Sequence, residues 1–172
     1  MTTKTIETLE TPRLRLRPFR DADLDAYAPI VADAEVMRYL GDGKPLDRFG
    51  AWRQMALLLG HQAMRGYTLW AVDEKASGRI VGRVGLWYPE GWPALEVGWL
   101  VAREHWGKGF AVEAARACRR AAFETLGAAR LISVIYPDNA RSIRVAEKLG
   151  AVPDGRVLLF GKDCLVYRHA RG

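Results

Sequence analysis

Three groups of residues have types and spacings that suit chemistry. Gly107, Lys108 and Gly109 form a lysine-bearing glycine turn in "REHWGKGFAVEAARA", and an alanine-rich run at helical spacing follows it. A strand that feeds such a turn and then a helix exposes backbone N–H groups at the helix's positive end. That is an anion site: the glycines let a polyphosphate approach closely, and Lys108 adds a cation. Glu96 stands among Leu95, Val97 and Trp99 in "ALEVGWLV", an unusual setting for a carboxylate, five residues before Val101. Strict alternation sets it instead on a solvent face beside a basic neighbour such as Arg83. Asn139 and Ser142, three residues apart in "PDNARSIRVAEKLG", share the first turn of another helix. There Asn139 reads as an N-cap and Ser142 as a first-turn serine that satisfies a backbone donor.

Spacing excludes several familiar chemistries. Lys108 is followed by Gly109 rather than Ser or Thr, so the turn is not a P-loop. Val112 stands where a dinucleotide fingerprint needs its third glycine. Cys118 and Cys164 have neither C-x-x-C spacing nor a nearby histidine, so no metal site or disulfide framework is expected, and Cys118 reads as a small buried side chain. His61, His105 and His169 lack the acid and serine companions of a nucleophile triad. His105 alone adjoins the glycine turn, either meeting its anion or simply exposed.

The elements that must position these groups follow from periodicity. "LRLRPF" predicts a first strand over about 13–19, with Leu14 and Leu16 on one face and the arginines on a solvated edge face. "DADLDAYAPIVAD" predicts a helix with Leu24, Tyr27, Ile30 and Val31 on one stripe. Beyond the turn-rich "GDGKP", a helix over about 47–65 carries Phe49, Trp52, Met55, Ala56 and Leu59. "YTLWAVDE", "RIVGRVGLWY" and "ALEVGWLVA" predict an antiparallel meander turned at "KASG" and "PEGWP". A helix over 109–126 stops at Gly127, "RLISVIY" is a buried strand, "NARSIRVAEKL" a helix closed by Gly150, and a hairpin ends the chain. The order is β-α-α-β-β-β-α-β-α-β-β, an α/β domain of the α+β type. Its central sheet is mixed and mostly antiparallel.

The chain has 172 residues, enough for one domain with a sizeable core, and shows no repeat or linker. Its net charge of +6 favours an anionic partner, but acidic residues interleave the basic ones and no basic arm stands out, which argues against nucleic acid. No apolar run is long enough to span a membrane, and the polar N-terminus lacks a secretory segment, so a cytoplasmic protein is expected. Of the six tryptophans, Trp70 and Trp99 read as strand core. "WYPEGW" at 87–92 reads as an exposed hairpin or as the contact of a homodimer.

With these motifs in place the chain resembles the GNAT acetyltransferase superfamily over nearly its whole length. "WGKGFA" at 106–111, after "EVGWLV", resembles that family's acyl-CoA pyrophosphate loop. "NARSIRVAEKLG" resembles its second cofactor motif, and "TPRLRLRPFRDADLDAY" the opening of its RimJ/RimL branch. The resemblance implies a single GNAT domain over 1–172 that uses acetyl-CoA without a metal. Cofactor contacts would fall on Leu100, Val101, Trp106, Gly107, Lys108, Gly109, Phe110, Ala111, Asn139 and Ser142. It also implies direct acetyl transfer to a primary amine, either a protein N-terminus or a small molecule, in a ternary complex. A free amine has a pKa of about 8–10, so a base is needed near neutrality, and Glu96 is the candidate. Backbone N–H groups near Leu100 and Val101 are candidates to polarise the thioester. Ser142 either contacts the cofactor or protonates the leaving thiolate. The branch builds its acceptor pocket around the 41–46 loop, which makes Met37, Tyr39 and Trp52 candidates for substrate contact. Two departures stand out: Trp106 replaces the usual Gln or Arg, and Ala146 replaces a tyrosine proposed as general acid. The second keeps open an alternative, a CoA-binding module with little or no activity.

Overall fold

The computed structural model describes residues 4–171. Eight strands form one mixed sheet: β1 (Leu9–Glu10), β2 (Leu14–Arg17), β3 (Leu69–Glu74), β4 (Ile80–Trp87), β5 (Glu96–Val101), β6 (Leu131–Ile135), β7 (Val152–Leu159) and β8 (Lys162–His169). Five helices accompany them: α1 (Leu24–Val31), α2 (Ala34–Met37), α3 (Arg48–Arg65), α4 (Phe110–Glu124) and α5 (Ala140–Lys148). The sequence order is as expected, with two short additions. β1 pairs against β2, and α2 is capped by Asp33, whose side chain accepts from the Glu35 N–H.

Spatial order across the sheet is β1-β2-β3-β4-β5-β6-β8-β7. The meander of β3, β4 and β5 and the closing β7–β8 hairpin are antiparallel, and β5 beside β6 is parallel. That parallel pairing holds a single register position, Glu96 opposite Ile132. Beyond it β5 and β6 separate, and the sheet opens into a wedge.

Core packs on both faces. Trp70, Val72, Val84 and Leu86 meet the small residues Ala114, Ala115, Cys118 and Ala122 of α4, which let that helix lie close to the sheet. On the other face, Tyr27, Val31, Met37, Met55 and Leu58 pack over Leu69, Ala71 and Leu100. Left-handed glycines stop α4 and α5 where expected, Gly127 at φ 70° and Gly150 at φ 75°.

Two sequence expectations fail here. The solvated arginine face of "RLRLR" holds for Arg13 and Arg15 but not for Arg17, and β2 is not an edge strand. Arg15 is exposed and pairs with Glu10, but Arg17 is buried between Asp23 and Asp73 at 2.7 Å from each. β2 is an inner strand, so the helical layer covers that end of it. The stripe assigned to α3 is also rotated: Ala51, Met55, Leu58 and His61 face the core, whereas Phe49, Trp52 and Leu59 face outward. Spacings of three and four fit both stripes, and only packing decides between them.

Candidate active site

The site is built in the wedge between β5 and β6. Ala102 donates to the Val81 carbonyl on β4, and Val101 stands opposite Gly82. Antiparallel alternation therefore turns the amide of Leu100 toward β4, and those of Trp99 and Val101 toward the wedge. Leu100 lines the site, but its N–H is spent on the sheet. Trp99 and Val101 supply the open donors instead. The Val97 carbonyl is already occupied, accepting from the Ser133 hydroxyl at 2.7 Å.

Two cavities fill the wedge, of about 300 Å³ and 380 Å³. The larger runs from Trp99 and Val101 to the start of α4. Gly107 and Gly109 both hold left-handed backbone, at φ 79° and 81°, and nothing approaches a Cβ placed on Gly107. Among the described residues, the amides of Gly109, Phe110, Ala111 and Val112 have no acceptor, as expected for a helix N-terminus. The loop is fixed from behind by Arg13, which donates to the Lys108 carbonyl at 2.9 Å and to Glu113 at 2.6 Å. Trp106 fixes it from the front: its indole N–H donates to the Val101 carbonyl at 2.8 Å. The Arg141 guanidinium lies 3.8 Å over the same indole ring. Arg141, Arg144 and Lys148, on one side of α5, give this cavity a basic wall. Open amides, a Cβ-free cradle and three cations together fit a polyphosphate. Lys108 itself is exposed and does not line the cavity; its ammonium lies 3.2 Å from His105 Nδ1.

The smaller cavity ends at Glu96. Contrary to the solvent-face alternative, this carboxylate is buried. Oε1 accepts from the Val134 N–H at 3.2 Å and Oε2 from the Trp92 indole at 2.7 Å. Burial pushes its pKa up to about 7, against those two hydrogen bonds and the charge of Arg83, which pull it down. A carboxylate balanced near neutrality is suited to take a proton at physiological pH. Gly98, two residues along β5 on the same face, has no side chain to fill the floor beside it. Met37, Tyr39 and the 41–46 loop form the opposite wall, and Tyr136 reaches across to donate to the Gly41 carbonyl.

Tyr39, Leu40, Trp99, Asn139 and Ser142 border both cavities. Asn139 caps α5, its Oδ1 accepting from the Ser142 N–H, while its Nδ2 donates to the Ser142 hydroxyl at 3.0 Å. The Trp99 indole donates to the same oxygen at 3.2 Å. With two donors on its oxygen, the hydroxyl proton of Ser142 has no acceptor among the described residues and is free to be given away at the junction.

The wedge thus gathers Val101, Trp106, Gly107, Gly109, Phe110, Ala111, Asn139 and Ser142 along one cavity, and Glu96, Met37 and Tyr39 along the other. Trp52 lies in neither and is 46% exposed on the outer side of α3. Trp99 is a wall of the site rather than plain core. Ala146 is fully buried against Ile135, Ala151 and Tyr167, away from both cavities. Sequence reasoning missed the basic wall of α5, although the i, i+3, i+7 spacing of Arg141, Arg144 and Lys148 was there to be read. Among the described residues no group of His, Cys, Asp and Glu is arranged to hold a metal, and no helix is long and apolar enough to cross a membrane.

Comparison with known proteins agrees with this geometry. Residues 13–152 match the acetyltransferase (GNAT) domain model. Uncharacterized protein YkkB of Bacillus subtilis is 33% identical over 92% of this chain and 93% of its own length. The uncharacterized N-acetyltransferase YoaA of the same organism is 29% identical, over 86% and 84% of the two chains. The acetyltransferase of Agrobacterium tumefaciens has the same fold, with a TM-score of 0.85 and 35% identity over 97% of this chain and 96% of that one. A split sheet whose wedge opens onto the uncapped amides of a helix start, matched over most of its length, places this chain in the GNAT acetyltransferase family, as an acyltransferase that belongs with acetyl-CoA-dependent enzymes.

Proposed function

We propose that this protein acetylates a primary amine by direct transfer from acetyl-CoA in a ternary complex, as a cytoplasmic member of the RimJ/RimL-like branch. The observation that carries the reading is the meeting of two cavities at Ser142, one ending on open helix amides and the other on a buried carboxylate of pKa about 7. When bound, acetyl-CoA supplies the acetyl group as a thioester. Gly107, Gly109 and the first amides of α4 would hold its pyrophosphate, with Arg141, Arg144 and Lys148 adding charge. The Val101 and Trp99 N–H groups, turned into the wedge, would donate to the carbonyl oxygen on which negative charge develops.

Glu96 accepts the proton that the amine must lose, and Trp92 and the Val134 N–H hold its two oxygens in place for it. Ser142 passes its hydroxyl proton to the departing thiolate and is reprotonated by the proton that the amine gave up to Glu96, its oxygen being held by Trp99 and Asn139. This arrangement supports a reading in which no tyrosine is needed at position 146. A proton donor already stands at the junction, and position 146 faces the core. It also favours an active enzyme over a silent CoA-binding module.

The test is calorimetric titration with acetyl-CoA, followed by thiol release against a panel of amines and N-terminal peptides. Saturable binding with amine-dependent thiol release is expected. Binding without release by any amine would favour the silent module, and absence of binding would overturn the phosphate-loop assignment.

A further inference from the structure

Resting on that reading, the smaller cavity also says what kind of amine it takes. Arg83, on β4, is 92% buried yet points its guanidinium into this cavity. Its Nε donates to the Tyr27 hydroxyl at 2.9 Å, and that hydroxyl in turn donates to Gln54, so the side chain is held in one orientation. Among the described residues, no hydrogen bond or ion pair reaches its Nη1 or Nη2, and neither is a sealed, unsatisfied atom: both look onto the cavity.

Arg17 shows what a buried arginine in this fold looks like when its role is structural. Its Nε, Nη1 and Nη2 are all bonded, to Asp23 and Asp73. A buried cation left half-bonded is costly unless an anion completes it. Glu96 is not that anion. The two groups share one face of the β4–β5 ladder, where Arg83 stands opposite Leu100 and Glu96 opposite Trp87; the charge of Arg83 is felt at Glu96, but among the described residues neither forms an ion pair with the other. Gly98 lies between them along β5 and leaves the intervening space empty.

We propose that Arg83 binds a carboxylate carried by the acceptor itself, so that the substrate is a small amino acid with its amine at Glu96 and its carboxylate on the fork of Arg83. A planar guanidinium with two free donors matches a carboxylate bidentately. Trp87, Trp92 and Tyr136 make the walls between, which suits an apolar side chain on that amino acid. A peptide N-terminus presents an amide where this site offers a cation, and is the poorer fit.

The experiment compares kcat/KM for L-methionine and L-phenylalanine with their carboxamides, which stand in for a peptide N-terminus, in the wild type and in Arg83→Met and Arg83→Lys. The free acids should be preferred by about 10–100-fold, the size of a charge-assisted hydrogen-bonded pair. That preference should fall to about one in Arg83→Met and survive in part in Arg83→Lys, with acetyl-CoA affinity unchanged in both. A wild-type ratio near one, or a preference undiminished in Arg83→Met, would overturn the proposal while leaving the transferase reading intact. If Arg83→Met fails to fold, the wild-type ratio and the Arg83→Lys ratio decide it. Turnover of carboxamides, peptides or simple amines but of no free amino acid would also refute it. Acetyl-CoA binding with no turnover of any amine would remove the transferase reading, and this proposal with it.

Discussion

In the proposed mechanism a carboxylate and a hydroxyl carry the chemistry, and each owes its properties to what surrounds it. Glu96 is raised to about 7 chiefly by burial, so it is charged in the folded protein only above that value, whereas in the unfolded chain it ionises near 4.5. Between those two pH values the unfolded state loses a proton that the folded state keeps, so Glu96 costs stability progressively as pH rises from 4.5 to 7. Glu96→Gln removes that dependence. Its stability relative to wild type, read from urea midpoints, should improve on going from pH 5 to pH 8, by of order 1–3 kcal/mol. A difference independent of pH would mean that the carboxylate is not desolvated as the structure has it. At Ser142, replacement by alanine removes the free proton and leaves the Trp99 and Asn139 donors without their shared acceptor. We expect kcat to fall about 10–100-fold with acetyl-CoA affinity little altered. A loss confined to acetyl-CoA binding would instead make Ser142 a contact residue.

The glycine turn and α4 were legible from sequence because their signals are local: two glycines, a helical run and a stop at Gly127. So was the capping role of Asn139. What could not be read is how the turn is braced. Trp106 looked like a departure from a motif, yet its indole ties the loop to the Val101 carbonyl. Arg13 looked like a solvated strand residue, yet it holds the loop from the other side. Both contacts depend on the backbone's path rather than on spacing. Gly109→Val forces a β-branched residue to φ 81°, at a strain of about 1–2 kcal/mol, and crowds the amides proposed to hold the phosphates. Acetyl-CoA affinity by calorimetry should drop more than about tenfold, and unchanged affinity would remove the anion from this loop. Trp106→Phe keeps the ring under Arg141 but loses the hydrogen bond, and should weaken binding by about 1 kcal/mol.

For the molecule as a whole, the decisive feature is the separation of β5 from β6 after one paired position. Alternation and length predicted both strands correctly, but register between segments some thirty residues apart is not written in either of them. The same holds for burial of charge: alternation assigns Arg17 and Arg83 a face, and only the covering layer decides whether that face is wet. Arg17→Met leaves Asp23 and Asp73 unpaired beside the core, and should destabilise the protein by about 3–5 kcal/mol in urea unfolding. Gly98 offers a milder probe, since a Cβ there meets only Leu69 and Glu96 at ordinary contact distances, 3.5 and 3.9 Å. Gly98→Ala should therefore fold normally and raise the KM for the amine alone. The most direct test of the account is the pH profile of kcat in wild type and Glu96→Gln with any amine that the enzyme turns over. The wild type should show a rising limb with a midpoint near pH 7 that disappears in the variant, whose rate at pH 7 falls at least about tenfold. A limb and a rate that persist unchanged in Glu96→Gln would contradict it.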